Sequence, residues 1–241
     1  MRNESQDYSQ DAALHPRMVM DVSTEARATF MVRVFTHLLG AMVGFTLIEV
    51  ILFKTGMALS ITETLLGTSY GWLVAMGGFV ILGNMASRTA HTARALSTQY
   101  LALAGFVIGE AIIFAPLLYI ANAQAGGGVI ASAAYVSLAG FTGLAAIAIF
   151  SRKDFSFMGA FLKWGMMCAL VLIVASVLMG FELGLLFSVA MVALAGGSIL
   201  WSVQRIYREY PEDRYVGASL ELFAAVAMLF WYVLRIFMSR D

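Results

Sequence analysis

Residues 97–121 read STQYLALAGFVIGEAIIFAPLLYIA, and Glu110 is the only charged side chain among them. A helix needs about 20 mostly apolar residues to cross the hydrocarbon core of a bilayer. This segment is therefore long enough and apolar enough to span a membrane as a helix. The polar group TQY near its start and Pro116 near its end distinguish it from a plain hydrophobic helix.

Six more segments of the chain have the same character. Of the 241 residues, 61% are hydrophobic and 12% are charged, which is too little charge to cover the surface of a soluble protein of this size. The loops are short, the longest running from 54 to 68, so they leave no room for a separate soluble domain. The sequence predicts an all-α integral membrane protein with seven transmembrane helices, at 28–53, 69–87, 97–121, 128–150, 157–180, 183–204 and 215–238.

Residues 1–27 are polar, and we expect them to form a disordered cytoplasmic tail ahead of a seven-helix membrane domain at 28–241. They do not have the pattern of a signal peptide, because no small-residue cleavage site follows a short apolar core. Lys and Arg favour cytoplasmic loops. Twelve of these residues lie on the tail's side of the predicted bundle, and three, Lys54, Arg235 and Arg240, lie on the other. This bias predicts a cytoplasmic N-terminus.

Composition and motifs also exclude several classes of protein. The net charge of zero leaves no basic excess to neutralise the phosphates of a nucleic acid. The single cysteine, Cys168, cannot form an internal disulfide, and no Cys/His cluster has the spacing of a zinc site. The seventh span has no lysine for a retinal Schiff base, and the chain lacks the GxSG and GxGD motifs of intramembrane proteases. We expect no cofactor, no resident metal and no enzymatic activity.

Short motifs at fixed places on the seven spans resemble those of the Bax inhibitor family, also called the transmembrane Bax inhibitor motif family, in its bacterial type. The resemblance covers most of residues 28–241, and its strength comes from the order and position of the motifs together. They are TQYL at 98–101, IFAPLLY at 113–119, RKDFSFMG at 152–159, GGSIL at 196–200 and ASLELF at 218–223.

The resemblance implies six helices around a central seventh, in an inner (plasma) membrane. It also implies a pH-sensitive cation leak, usually described for calcium, that is closed by two acidic residues near the cytoplasmic ends of the sixth and seventh spans. Glu221 matches the acid of the seventh span, whereas the position on the sixth span is Ser202. Because serine does not ionise, two carboxylates that share one proton are not available in this chain. The family is also linked to a membrane protease partner in bacteria and to cell death in eukaryotes.

Charged side chains inside a bilayer are costly, so each one is a functional candidate. Glu221 lies about 9 Å into the seventh span, at 1.5 Å per helical residue. Ser202, Arg88 and Arg205 are predicted near the same side of the membrane. We expect a cytoplasmic gate in which Glu221 pairs with Arg88 or Arg205 and Ser202 forms a hydrogen bond. The structural alternative is a glutamate that an arginine neutralises to hold two helices in register.

Glu110 lies about 20 Å along the third span, close to the middle of the bilayer. His37, on the first span, is a possible partner at similar depth. A carboxyl group and an imidazole at that depth form a candidate site on a path for protons or cations across the membrane. The alternative is a neutral hydrogen-bonded pair between helices. We expect Glu49 to reach the outer interface and Asp154 to cap the fifth span.

Two functions remain open at this point. The first is a pH-influenced cation leak, with calcium as the cation. The second is a non-conducting regulatory protein that binds a membrane protein partner, such as a protease complex.

Overall fold

The computed structural model describes residues 18–68, 70–93, 95–125, 127–151 and 153–239. Within these ranges the chain forms eight α-helices, and all but α2 are long and apolar enough to cross a membrane. The predicted all-α fold with seven spans is therefore confirmed. The helices are α1 (Thr24–Lys54), α2 (Met57–Leu66), α3 (Gly71–Thr92), α4 (Leu96–Ala125), α5 (Gly127–Phe150), α6 (Met158–Met179), α7 (Leu185–Glu209) and α8 (Tyr215–Met238).

The segment before α1 is more ordered than the sequence indicated. Val19 is fully buried, and Arg27 donates hydrogen bonds to its carbonyl oxygen, at 3.1 Å, and to that of Met20, at 2.7 Å. The Ser23 hydroxyl caps α1 by accepting a hydrogen bond from the backbone N–H of Ala26, at 3.2 Å. Residues 18–27 thus belong to the folded domain, and the prediction of disorder is wrong for them. Residues 1–17 of the predicted tail lie outside the described part of the chain.

A short helix occupies most of the predicted loop at 54–68. Gly56 adopts a φ of 75°, a left-handed conformation that suits glycine and ends α1. The chain then forms α2, whose residue Ala58 packs with Leu52 of α1 and Ala115 of α4. This helix has 10 residues, too few to resemble a membrane span, which is why the hydrophobic pattern did not predict it.

The last helix, α8, lies at the centre of the bundle. Within its most apolar window 56% of residues are buried, compared with 11% for α3 and α6. It packs against α1, α3, α4, α5 and α7, and its Tyr232 contacts a cluster that contains Ala169 of α6. No residue from Tyr215 to Met238 is exposed, so the helix belongs to the core of the bundle. The expected arrangement of six helices around a central seventh is therefore confirmed.

The spans alternate between two faces of the bundle. We call the face where α1 and α8 begin the N-terminal face, and the other the opposite face. α8 has 24 residues and so is about 36 Å long, enough to cross a bilayer completely. Near its end, Arg235 donates a hydrogen bond to the carbonyl oxygen of Leu183, at 3.1 Å, which holds the α6–α7 link at the opposite face.

The link between α5 and α6 is held on α7 by one buried side chain. The Gln204 side chain accepts a hydrogen bond from the backbone N–H of Phe155, at 2.6 Å, and donates one to the carbonyl oxygen of Lys153, at 2.8 Å. Asp154 accepts hydrogen bonds from the hydroxyl of Ser156, at 2.6 Å, and from its backbone N–H, at 3.0 Å, and these bonds lower the pKa of Asp154. Asp154 therefore stabilises a turn in the link. The sequence had predicted that it caps α6, and that prediction is wrong.

Candidate functional site

The carboxylate of Glu221 connects α8 to α7. The Ser202 hydroxyl donates a hydrogen bond to its Oε1, at 2.6 Å, and Nη2 of Arg205 lies 2.5 Å from its Oε2. The Arg205 guanidinium also lies over the ring of Trp201, 4.2 Å from the ring centre, where a cation is attracted by the aromatic face. The expected pairing of Glu221 with Arg205 and Ser202 is thus present in the structure.

Tyr210 and His91 complete the site. The sequence analysis did not select either residue. The Tyr210 hydroxyl donates to Oε2 of Glu221, and Nε2 of His91 lies 3.2 Å from the Tyr210 oxygen and 3.9 Å from Oε2. Burial, followed by the charge of Glu221, raises the pKa of Tyr210, so its hydroxyl keeps the proton that it donates. His91 must therefore donate to Tyr210 through a protonated Nε2. We call Ser202, Arg205, Tyr210, Glu221 and His91 the Glu221 cluster.

The segment before α1 helps to position Tyr210. This tyrosine lies in the α7–α8 link, where its carbonyl oxygen accepts a hydrogen bond from the backbone N–H of Val19, at 2.7 Å. Met18 and Pro211 form an isolated antiparallel bridge beside this bond. Val19 and Tyr210 are both buried, so the N-terminal segment covers the link. Tyr210 and His91 both lie where spans end at the N-terminal face. This shared location was the only indication in the sequence that the two residues are close together.

A close approach of α3 and α8 brings His91 to the cluster. A Cβ atom on Gly217 would lie 2.8 Å from Nδ1 of His91 and 2.9 Å from the carbonyl oxygen of Ala90. Both distances are shorter than ordinary contacts, so the packing of α3 on α8 requires glycine at this position. Gly217 therefore determines how near His91 lies to Tyr210.

Arg88 is not part of the Glu221 cluster. Its side chain is exposed, and the ion pair of Glu221 is made with Arg205. Ala86 and Ala90 are the buried positions of α3. Residue 88 is two positions from each of them, about 200° around the helix at 3.6 residues per turn. The rotation of α3 thus turns Arg88 away from α8, and the predicted alternative pairing of Arg88 with Glu221 is wrong.

His37 and Glu110 do not form the predicted pair. Nε2 of His37 lies 2.7 Å from the hydroxyl of Tyr100, and Nδ1 lies 2.7 Å from the carbonyl oxygen of Arg33. Tyr100 and Glu110 are about 15 Å apart along α4 at 1.5 Å per residue. His37 is therefore level with the start of α4, whereas Glu110 is buried much deeper. The prediction compared positions along each span, whereas the contact of His37 with Tyr100 fixes α1 against α4 so that His37 lies about 15 Å short of Glu110.

Glu110 and Glu221 instead line one cleft between α3, α4, α6 and α8. The cleft has a volume of ≈ 1060 Å³. It extends along α8 from Glu221 to Arg235, about 21 Å of helix axis. This length is roughly two thirds of the hydrocarbon thickness of a bilayer. Asn84, Ser87 and Ser176 add polar groups to its walls. The α3–α6 cleft therefore connects the Glu221 cluster with the opposite face.

Sequence similarity to known proteins extends over most of the chain. The family described as "Inhibitor of apoptosis-promoting Bax1" matches residues 27–241. Two uncharacterized proteins of Neisseria meningitidis, one from serogroup A and one from serogroup B, are each 28% identical to this chain over 138 residues. Each match covers 56% of this chain and 60% of the relative's own length. Because the family match covers nearly all of the membrane domain, the chain belongs to the Bax inhibitor family.

Proposed function

We propose that the protein is a cation leak that is closed by the Glu221 cluster, with calcium as the cation. The observation that carries this proposal is the position of Glu221, which both lines the α3–α6 cleft and is held to α7 by Ser202 and Arg205. Breaking those bonds would free a carboxylate at one end of a cleft that extends toward the opposite face.

The acidic residues of the cleft suit a cation. Rings and clusters of Asp and Glu favour cations in membrane pores. Glu110 lies in the wall between Glu221 and the opposite face, so a cation that moves along the cleft meets a second carboxyl group. Charged residues at membrane depth ordinarily line polar cavities or ion pathways.

The hydrogen bonds of the cluster set the cost of opening. A hydrogen bond to a charged group contributes about 1.5–3 kcal/mol. Removal of one donor would therefore raise the open fraction about tenfold or more, since each 1.4 kcal/mol is a factor of about ten. Tyr210 is the most useful donor to remove, because Tyr210→Phe keeps the ring and leaves Glu221, Arg205 and Ser202 in place.

We further propose that the N-terminal face is cytoplasmic, that the membrane is the inner (plasma) membrane, and that the protein catalyses no reaction. The basic residues support this orientation. Arg27, Arg88 and Arg205 belong to the N-terminal face, whereas Lys54 and Arg235 lie near the opposite one. Basic residues are more common on the cytoplasmic side of membrane proteins.

The direct test is ion flux into liposomes that contain this protein alone, measured for calcium, sodium and protons between pH 6 and 8. We expect Tyr210→Phe to raise cation flux about tenfold. We expect Glu221→Gln to raise it as well, because glutamine keeps the volume but no longer forms an ion pair with Arg205. Glu63→Gln, on the exposed side of α2, is the matched control and should behave like the parent.

Two results would contradict the proposal. If Glu221→Gln has the flux and the pH profile of the parent, Glu221 is only a structural residue that joins α7 to α8. If neither the parent nor Tyr210→Phe conducts any of the three ions, the protein is not a leak. That result favours the alternative, a non-conducting regulatory protein that binds a membrane protein partner.

A further inference from the structure

A second cavity lies on the other side of α8, between α1, α4, α5 and α8. Its volume is ≈ 520 Å³, within the range of about 300–1,000 Å³ that is typical of small-molecule sites. Lys54, Asn122 and Ile130 line it, and these residues lie where α1 and α4 end and α5 begins. The cavity is therefore in the half of the bundle next to the opposite face, away from the Glu221 cluster.

The walls are almost entirely apolar, with aromatic rings from three helices. Phe45 and Phe53 belong to α1, Phe114 to α4, and Phe223 and Phe230 to α8. The rings of Phe114 and Phe230 are stacked, with their centres 5.7 Å apart. The faces of aromatic rings attract cations as well as apolar groups.

Two residues that line this cavity carry three buried polar atoms without a hydrogen-bond partner among the described residues. They are Oε1 and Oε2 of Glu49 and Oγ of Ser137. Glu49 is only 6% exposed and Ser137 only 2%. The sequence predicted that Glu49 reaches the membrane interface, but the rotation of α1 turns its side chain inward. Lys54 remains exposed at the rim of the cavity. A buried polar group without a partner costs about 1–3 kcal/mol. We call this site the Glu49 cavity.

We propose that the Glu49 cavity binds a primary ammonium group that is carried on an apolar body. A primary ammonium has three N–H donors and no acceptor, and three buried oxygens of the residues that line the cavity lack a partner. Its positive charge complements the carboxyl group of Glu49, and its apolar body fills the space between the phenylalanine rings. The site is separate from the α3–α6 cleft, so the proposal does not depend on the leak.

The test uses two rigid molecules with the same apolar cage, 1-adamantanamine and 1-adamantanol. Their binding to the full chain is measured by calorimetry in phosphatidylcholine nanodiscs, with empty nanodiscs subtracted. We expect the amine to bind the parent at least about tenfold more tightly than the alcohol, because it alone adds a charged donor for Glu49. We expect Glu49→Gln to remove that difference and leave the affinity for the alcohol unchanged.

Three other variants control for indirect effects. Glu63→Gln, the same exchange on exposed α2, should bind like the parent. Ser137→Ala removes one acceptor without adding volume and should weaken the amine severalfold, which keeps the proposal testable if Glu49→Gln does not fold. Ala134→Phe, at the exposed rim of the cavity, should weaken both molecules because it fills the space. Equal affinity of the amine and the alcohol for the parent, or unchanged amine binding by folded Glu49→Gln, would overturn the proposal.

The ammonium group has two possible sources, a lipid headgroup or a free amine. Nanodiscs that contain phosphatidylethanolamine present a primary ammonium, whereas those of phosphatidylcholine present a quaternary group without N–H donors. Weaker binding of 1-adamantanamine in phosphatidylethanolamine identifies the lipid headgroup as an occupant. Equal binding in both lipids identifies a free amine. Either result, together with the dependence on Glu49, supports the ammonium site.

Discussion

At the scale of single residues, Ser202 determines the chemistry of the Glu221 cluster. Its hydroxyl lies 2.6 Å from the Glu221 carboxylate and donates a neutral hydrogen bond to it. A carboxyl group at the same position would bring two acids within hydrogen-bond distance, where they cannot both ionise easily and share one proton. The parent has a single acid at this point, paired with Arg205 and 3.9 Å from His91, so it has no carboxylate pair whose shared proton would make closure depend on pH near neutrality.

We predict that Ser202→Asp makes cation flux depend on pH. Strongly coupled carboxylates exchange their shared proton over a range that can extend to about pH 6–8. Flux measured against pH should therefore change across this interval for Ser202→Asp and remain level for the parent. Ser202→Asn, which has a similar shape but no charge, is the control. A parent that already switches sharply between pH 6 and 8 would show that the switch does not need two carboxylates.

At the scale of helices and links, the short motifs act mainly as connections between spans. Gln99 of the TQYL motif donates a hydrogen bond to the carbonyl oxygen of Ala93, at 3.0 Å, and so holds the end of α3. Tyr100 of the same motif reaches His37 on α1, and Gln204 of α7 holds the motif between α5 and α6. These contacts fix the ends of α3, α4 and α7 at the N-terminal face, where the Glu221 cluster lies.

We predict that Gly217→Ala separates α3 from α8 and destabilises the protein. The new methyl group would overlap the His91 ring and the backbone of Ala90, and that backbone cannot move without displacing α3. Overpacking of this kind costs about 1–3 kcal/mol, which should lower the thermal unfolding temperature in detergent. Gly105→Ala in α4, where nothing lies within 4 Å of the added Cβ, is the control and should not be destabilised. Unchanged stability of Gly217→Ala would show that this contact is not tight.

At the scale of the whole molecule, α8 separates two mainly apolar cavities that differ in their polar groups. The α3–α6 cleft on one side contains Glu110, Glu221 and several hydroxyl and amide groups. The Glu49 cavity on the other side is mostly aromatic and aliphatic. Because α8 forms a wall of both, a movement of this helix that opens one cavity would also change the other.

We predict that the N-terminal face is cytoplasmic. A reporter enzyme fused at the α3–α4 link should be active only in the cytoplasm, and one fused at the α6–α7 link should be active only outside it. The excess of basic residues on the N-terminal face is the physical reason. A fusion at the α3–α4 link that reports the external side would refute this topology.

The sequence by itself determined the class of fold, the number of spans and their approximate bounds. These features follow from the length and polarity of contiguous segments, which are local properties and can be seen without knowing how helices pack. Glu221 was identified because it is an acid inside an apolar helix and matches a family motif. The pairing with Arg205 and Ser202 was one of several pairings that the sequence allowed.

Only the tertiary structure decided which side chains meet. In the folded bundle Arg88 does not contact Glu221, and His37 contacts Tyr100 instead of Glu110. Tyr210 contacts both Glu221 and His91. Each of these outcomes depends on the rotation and depth of a helix relative to its neighbours, and a shift of one residue turns a side chain by about 100° and moves it about 1.5 Å. Hydrophobic pattern limits these quantities only loosely when a helix is apolar on every side. For the same reason, only the packed bundle showed that Glu49 faces an aromatic cavity instead of the interface.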